Sequence, residues 1–477
     1  MTEALMVGAA RTDVTPPIGI DIAGFCLRDL APGIHAPLSI RAVIFSSGED
    51  MTVLVSCEMV GHTAATAATL RHLVANALGI GSEAVTIGCT HTHSGPVLQG
   101  GPKIGGRQEE WLEINEAYDR NFRYQLVSTV KQAQAALRPA RSSAVVGGSV
   151  SIGVNRRFRL DDGRMIIGRN WAGPMDRSIG VLRIDDLEGR PICTVLNYAC
   201  HPIVLGPENN LVSPDYPGAA MRVVEEATGA PCLFFQGCCG DIAPADGMGY
   251  DTGIADMLGA QLGYAALSLW SGIETRNIEQ REVIVQSYNW LLSLVKEERP
   301  LPPPIVRALE RTVELETLPL PTREEIDAIA TREYARYHEL ERDGAGHGAL
   351  NIQRIELRWV RAMQTALKEG RLHERIPAPV TGIRVNDWVM VCLPVEPFVR
   401  IGLAIKEQLA PHPVFVAGFT NGTIGYSPMP DDYPEGGYEV ERAHHVYGRP
   451  TALAPSAAGA LEASGISLAR DLYGLKS

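Results

Sequence analysis

Apolar positions in this chain come in short runs separated by polar, Gly- and Pro-rich breaks. Ala42-Val43-Ile44-Phe45 and Thr52-Val53-Leu54-Val55-Ser56-Cys57 flank the turn Ser47-Gly48-Glu49-Asp50, which predicts a hairpin. Leu70, Leu73, Val74 and Leu78 recur at helical spacing, so a helix is expected over 64–78 with Gly79 as its stop. The apolar run 84–89 reads as a buried strand and completes a β-α-β unit, whose crossover favours parallel pairing. Further on, the pattern predicts a helix near 110–137 and one strand over 144–154 ending in Asn155-Arg156-Arg157. A hairpin (179–184 and 192–198) follows, then a helix introduced by Ser213-Pro214-Asp215 and closed by Gly229, and a short buried strand at 232–235. Helices near 256–270 come next. Toward the C-terminus the pattern gives a hairpin around Asn386-Asp387, a helix at 398–409, a strand at 414–419 and a final helix at 456–473.

Strands alternating with helices place the chain in the α/β class, with a mixed β-sheet core and flanking helices. Residues 10–35, rich in Pro and Gly, are expected to be irregular. From 285 to 375 the texture changes. Pro300 to Pro304 is a stiff break, 312–317 alternates like a strand, Thr322-Arg323-Glu324-Glu325 is a capping box, and a second helix is expected over 352–369. This stretch reads as a mostly helical excursion within one domain spanning 1–477.

The chain has 477 residues, a formal net charge of −12 and no basic aromatic stripe, which excludes nucleic acid as an expected partner. No run is long enough to span a membrane, and the first residues lack a secretion signal, so a soluble cytoplasmic protein is expected. Nine scattered cysteines without a Cys-x-x-Cys pair point to reduced, structural thiols. Cys238-Cys239, with no base in view, is read the same way. The Gly-rich loop 97–107 lacks the Gly-Lys-Ser/Thr ending of a phosphate loop and is expected at the mouth of a cleft.

One chemical pattern recurs. A strand ends and a ligating or acid/base side chain follows: His91 and His93, Arg156, His201, Glu396, Tyr426. Each alone has a structural explanation. Together, neutral imidazoles with a carboxylate and a phenol at neighbouring strand ends suit Zn²⁺. His91 and His93 share a side if the strand continues through Thr92 and can diverge if a turn has begun there. Glu58, Asp215 and Asp241 are expected to support the site or cap helices.

Thr90-His91-Thr92-His93-Ser94-Gly95-Pro96 resembles the histidine motif of the neutral (non-lysosomal) ceramidases and their bacterial relatives. Asn155-Arg156, Asn197-Tyr198-Ala199-Cys200-His201-Pro202, Gly240-Asp241-Ile242-Ala243-Pro244, Leu393-Pro394-Val395-Glu396-Pro397-Phe398, Asn421-Gly422-Thr423-Ile424-Gly425-Tyr426 and Gly437-Tyr438-Glu439 follow in the family's order. The resemblance implies a zinc hydrolase with His91, His201, Glu396 and Tyr426 as metal ligands, and with His93, Arg156 and Tyr438 lining the reaction centre. Several features depart from the ceramidases. Ala243 stands where some members carry a serine, Val97-Leu98 replaces two glycines, and the family's C-terminal β-sandwich and secretion signal are not expected here.

The implied function is a zinc-dependent amidohydrolase acting on a small or amphiphilic amide other than ceramide. An esterase or lactonase using the same metal, and a non-catalytic ligand-binding relative, are the competing readings. A homo-oligomer is compatible with the sequence.

Overall fold

The computed structural model describes residues 4–98 and 112–475. Its centre is an eight-stranded mixed sheet. In spatial order the strands are Cys232–Gln236, Pro191–Tyr198, Ile179–Asp186, Arg138–Gly147, Met6–Asp13, Ser39–Ser47, Asp50–Cys57 and Val85–Cys89. The two outermost pairs are parallel and the inner pairs antiparallel. The sheet curls until its two ends meet. Ser56 Oγ donates to the Phe234 carbonyl at 2.7 Å, and a Cβ on Gly88 would lie 2.7 Å from the Phe235 ring, so only glycine lets these strands approach.

A second sheet of four strands, Val306–Glu316, Arg375–Val385, Trp388–Cys392 and Val414–Ala417, stacks on the first. Alternation along its strands makes the layering possible. Met390 and Cys392 point into a core shared with Phe45, Leu182 and Phe235 of the large sheet. Val389 and Val391 point the other way, into a core shared with helices Val399–Leu409 and Ser456–Tyr473. The other face of the large sheet is covered by helices Ala64–Leu78, Glu113–Ala135, Asp215–Thr228 and Thr252–Gly272. The result is a helix–sheet–sheet–helix sandwich, which bears out the α/β reading with a mixed-sheet core.

Most expected elements form where the pattern placed them. Gly79 and Gly229 cap their helices in the left-handed conformation, and Asn386 adopts φ 54° in its hairpin turn. Four readings need correction. Residues 144–154 are not one strand: Gly147-Gly148, with Gly148 at φ 66°, breaks the run. The chain restarts as Gly153–Arg159 in a separate three-stranded sheet, so Arg156 lies inside a strand instead of after one. The expected irregular stretch 10–35 begins only after Asp13, because Met6–Asp13 pairs along its whole length with Ser39–Ser47. The helical excursion is narrower than 285–375. Its helices are Arg323–Arg342, with the Thr322/Glu325 capping box, and His347–Lys368. Val306–Glu316 belongs to the second core sheet, and Ile278–Gln286 with Trp290–Glu298 forms a protruding hairpin. Finally, a single helix, Thr252–Gly272, occupies the region read as several. The Gly-rich loop lies outside the described residues from position 99 on.

Candidate metal centre

Three chain crossings build the site. Cys57 and Cys89 end adjacent parallel strands, and His91 follows at φ 68°, a left-handed conformation that terminates the strand. His91 and His93 therefore do not share a strand face. The turn itself brings their Nε2 atoms to 3.1 Å of each other. Pro191–Tyr198 delivers His201 from the opposite end of the curled sheet, where the two ends meet. From the second sheet, Phe419 and Asn421, both left-handed, stitch onto Val85–Cys89: Cys89 N–H donates to the Phe419 carbonyl and Asn421 N–H to that of Ile87. Phe419 then stacks on the His91 ring at 4.0 Å. Glu396 and Tyr426 arrive as a directly paired two-residue ladder, Glu396↔Tyr426. Backbone strain thus gathers where the functional side chains converge.

The tautomers follow from the hydrogen bonds. His91 Nδ1 faces the Val60 carbonyl, His201 Nδ1 faces the Cys239 carbonyl at 2.6 Å, and His93 Nδ1 faces the Gly24 carbonyl at 3.2 Å. A carbonyl can only accept, so each Nδ1 carries the proton and each Nε2 presents a lone pair. Burial, with like-charged neighbours, pushes the pKa of all three down, that of His91 to about 3, so they are neutral. Glu396 Oε2 lies 3.5 Å from His91 Nε2 and 3.2 Å from His201 Nε2, is fully buried, and has no hydrogen-bond partner. Three imidazole lone pairs and a carboxylate oxygen therefore face one another, with the Tyr426 hydroxyl 3.4 Å from His201 Nε2. Such a set of acceptors is stable around a cation. Among the described residues, His91, His93 and His201 form the one His/Cys/Asp/Glu group arranged to hold a metal ion.

All seven residues expected at the site converge. Arg156 Nη2 donates to the Tyr426 hydroxyl at 3.1 Å, and its Nε donates to Glu439 at 2.7 Å. Burial opposes the Arg156 charge, but Tyr426 and Glu439 hold its pKa well above the ordinary value. Tyr438 stands edge-on to Tyr426, with ring centroids 5.8 Å apart and the Arg156 guanidinium 6.0 Å from its ring. Burial and nearby Glu396 push the Tyr438 hydroxyl pKa up, which keeps it a proton donor. Glu396 distinguishes the histidines: it approaches His91 and His201, while the Nε2 of His93 meets that of His91 and its ring packs on Phe25.

Three partners were not foreseen. Tyr447 donates to Glu396 Oε1. Glu439 bridges Arg156 and Arg157. Arg28, buried, donates to the His93, Leu205 and Gly206 carbonyls. Glu439 sat in a quoted motif beside Tyr438 and carried a readable signal; Tyr447 follows no strand and carried none. Of the three acids expected to support the site or cap helices, Asp241 and Asp215 accept main-chain N–H groups at helix starts, whereas Glu58 is taken up by Arg41. Asp241 accepts from Asn155 and from Val399 N–H at the head of its helix, with its pKa pushed to about 7 by burial. Asp215 accepts from Leu205 and Tyr216 N–H, and Glu58 pairs with Arg41. Burial pushes the pKa of both Cys238 and Cys239 up, so neither is a ready thiolate.

Comparison with known proteins gives a consistent picture. The family model for the neutral/alkaline non-lysosomal ceramidase N-terminal region matches residues 5–245. Neutral ceramidase B of Dictyostelium discoideum is 25% identical over 260 residues, covering 50% of this chain. The match spans 35% of that relative's length. The crystal structure of neutral ceramidase from Pseudomonas aeruginosa superposes with a TM-score of 0.66 at 17% identity, over 100% of this chain and 75% of that one. A ceramidase complexed with C2 gives 0.65 at 17% identity, over 99% and 76%. At that identity the two structures show a shared fold.

Proposed function

Because its residues 5–245 match the family model, this chain belongs to the neutral/alkaline non-lysosomal ceramidase family, and we propose that it is a zinc-dependent hydrolase that cleaves an amide-type carbon–nitrogen bond. The observation that carries this reading is the cluster of acceptors formed by the histidine Nε2 atoms and the unpartnered Glu396 Oε2. Nitrogen and oxygen donors of this kind suit zinc. His91, His201, Glu396 and Tyr426 would hold the ion. When bound, zinc supplies Lewis acidity and lowers the pKa of water to about 7.

The remaining roles follow from the side chains. Arg156 is held charged and buried, so it stabilises both the Tyr426 oxygen and negative charge developing on a substrate carbonyl oxygen. Tyr438 stays protonated and donates to the same oxygen. With the Nδ1 proton of His93 directed at Gly24, its Nε2 lone pair, beside His91 Nε2, is the atom that would take a proton and return it to the leaving nitrogen.

The substrate in this proposal is an amide other than ceramide. Val97 packs with Ala23, Val60, Val446 and Tyr447 beside the Glu396 wall, and Leu98 enters the main core. Glycines at these positions would leave that space open. A hydrolysis screen over ceramide, small N-acyl amines, cyclic imides, esters and lactones tests the proposal. Amide cleavage without ceramide cleavage is expected. Ceramide turnover equal to the best amide would overturn the substrate reading alone. Turnover of esters or lactones only would overturn the amide reading, and no turnover by metal-loaded protein would favour a binding protein.

A further inference from the structure

We propose that the hairpin Ile278–Gln286/Trp290–Glu298 is the contact through which two copies of this chain associate. The hairpin forms a two-stranded sheet of its own. Its stem is charged and cross-braced: Arg281 pairs with Glu297 at 2.9 Å, and Arg299 with Glu279 at 2.6 Å. Its distal half is different. Residues 283–295 contain no charged residue, no proline and no glycine. Tyr288 at the turn is 99% exposed, Ile284 72% and Trp290 70%, and Leu291, Leu292 and Leu294 are also exposed.

The apolar side chains occupy both faces. Ile284 pairs with Leu292, and Val285 with Leu291, so successive pairs point to opposite sides. Both strand edges are also unpaired among the described residues. Long apolar edge strands are ordinarily blunted with charges, prolines or bulges, and this one carries none along its distal half. Tyr288 and Trp290 carry roughly 150–250 Å² each, and with the five exposed aliphatic side chains the apolar surface summed over both faces and the turn is on the order of 600 Å², so a partner that clasps both faces approaches its roughly 800 Å² share of a standard interface.

A second copy fits these features better than a lipid surface. An edge strand pairs with its own copy about a two-fold axis, and closed two-fold dimers are the commonest assembly. Hydrocarbon would leave the edge N–H and C=O groups unsatisfied, and a net charge of −12 is repelled by anionic lipid. The arm is remote from the metal centre. Its stem meets Arg141 through Glu298, at the end of the large sheet opposite His201, a strand of eight residues or about 25 Å away.

Sedimentation velocity on the full chain tests the proposal, with Trp290→Lys and Leu292→Glu as separate variants. The expected result is a mass of two chains for the parent and of one chain for each variant, with turnover, metal content and circular dichroism unchanged. Tyr288→Ser, in the turn, weakens association without touching strand pairing and serves if either strand variant misfolds. A parent of one-chain mass overturns the proposal, as does a dimer that survives all three substitutions. Binding to phosphatidylcholine vesicles by a one-chain species, read as a blue shift of tryptophan emission, overturns it in favour of lipid.

Discussion

The candidate metal centre has two walls built on different principles. On the histidine wall, each imidazole is anchored by a main-chain carbonyl: Val60 for His91, Gly24 for His93, Cys239 for His201. On the facing wall, the groups are held by other side chains: Glu396 by Tyr447, Tyr426 by Arg156, Arg156 by Glu439, and Glu439 also by Arg157. Main-chain anchors are fixed by the fold and survive most substitutions. A relay of side chains can be cut one link at a time. A substitution on the histidine wall should therefore remove the role of that imidazole alone, and one on the facing wall should also weaken the partners held through it.

His93→Ala sharpens the contrast most. If His93 moves a proton and does not hold the ion, metal content stays at the parent level while kcat falls by about 10²–10⁴-fold. Loss of the metal in this variant would make all three histidines ligands, an arrangement the three-histidine group also permits. Arg156→Met cuts the relay at its centre. It should lower kcat by about 10²–10³-fold. It should also destabilise the fold by about 3–5 kcal/mol through buried, unpaired charge on Glu439. Urea titration beside steady-state kinetics checks both effects. Unchanged stability would mean that Arg157 alone satisfies Glu439.

Tyr447→Phe removes one hydrogen bond to Glu396 and leaves the histidine wall intact. Metal affinity should weaken by about 10–100-fold, measured by chelator competition. The smallest effect is expected in the helical excursion, away from both walls. Thr322→Ala breaks the capping box and should cost about 1 kcal/mol with no change in turnover. A loss of activity there would tie the excursion to the chemistry.

These two walls were not equally legible in the sequence. Local pattern placed the helix 64–78 and its Gly79 cap, both flanking hairpins, and the strands that carry His91 and His201. It could not show that the large sheet curls to bring those two strand ends together, because that depends on the close approach at Gly88 and Phe235. Nor could it show that His91 is left-handed, which decides between the two arrangements that the His-x-His spacing left open. On the facing wall, Glu396 and Tyr426 were visible through their motifs, but Tyr447 was not, since its role rests on a tertiary contact with a residue 51 positions away. The strand reading failed at Gly147-Gly148, where the left-handed glycine splits an otherwise continuous apolar run. The hairpin 278–298 went unread because its apolar half faces outward on both sides, a pattern that imitates a buried strand.

The central claim is that this acceptor cluster holds zinc for hydrolysis, and metal analysis of purified parent protein and His201→Ala, paired with amide turnover, tests it most directly. The account predicts one zinc per chain and measurable turnover in the parent. In the variant, whose fold is verified by circular dichroism, it predicts loss of both. Full zinc occupancy in His201→Ala, or turnover by a parent stripped of metal, would contradict it.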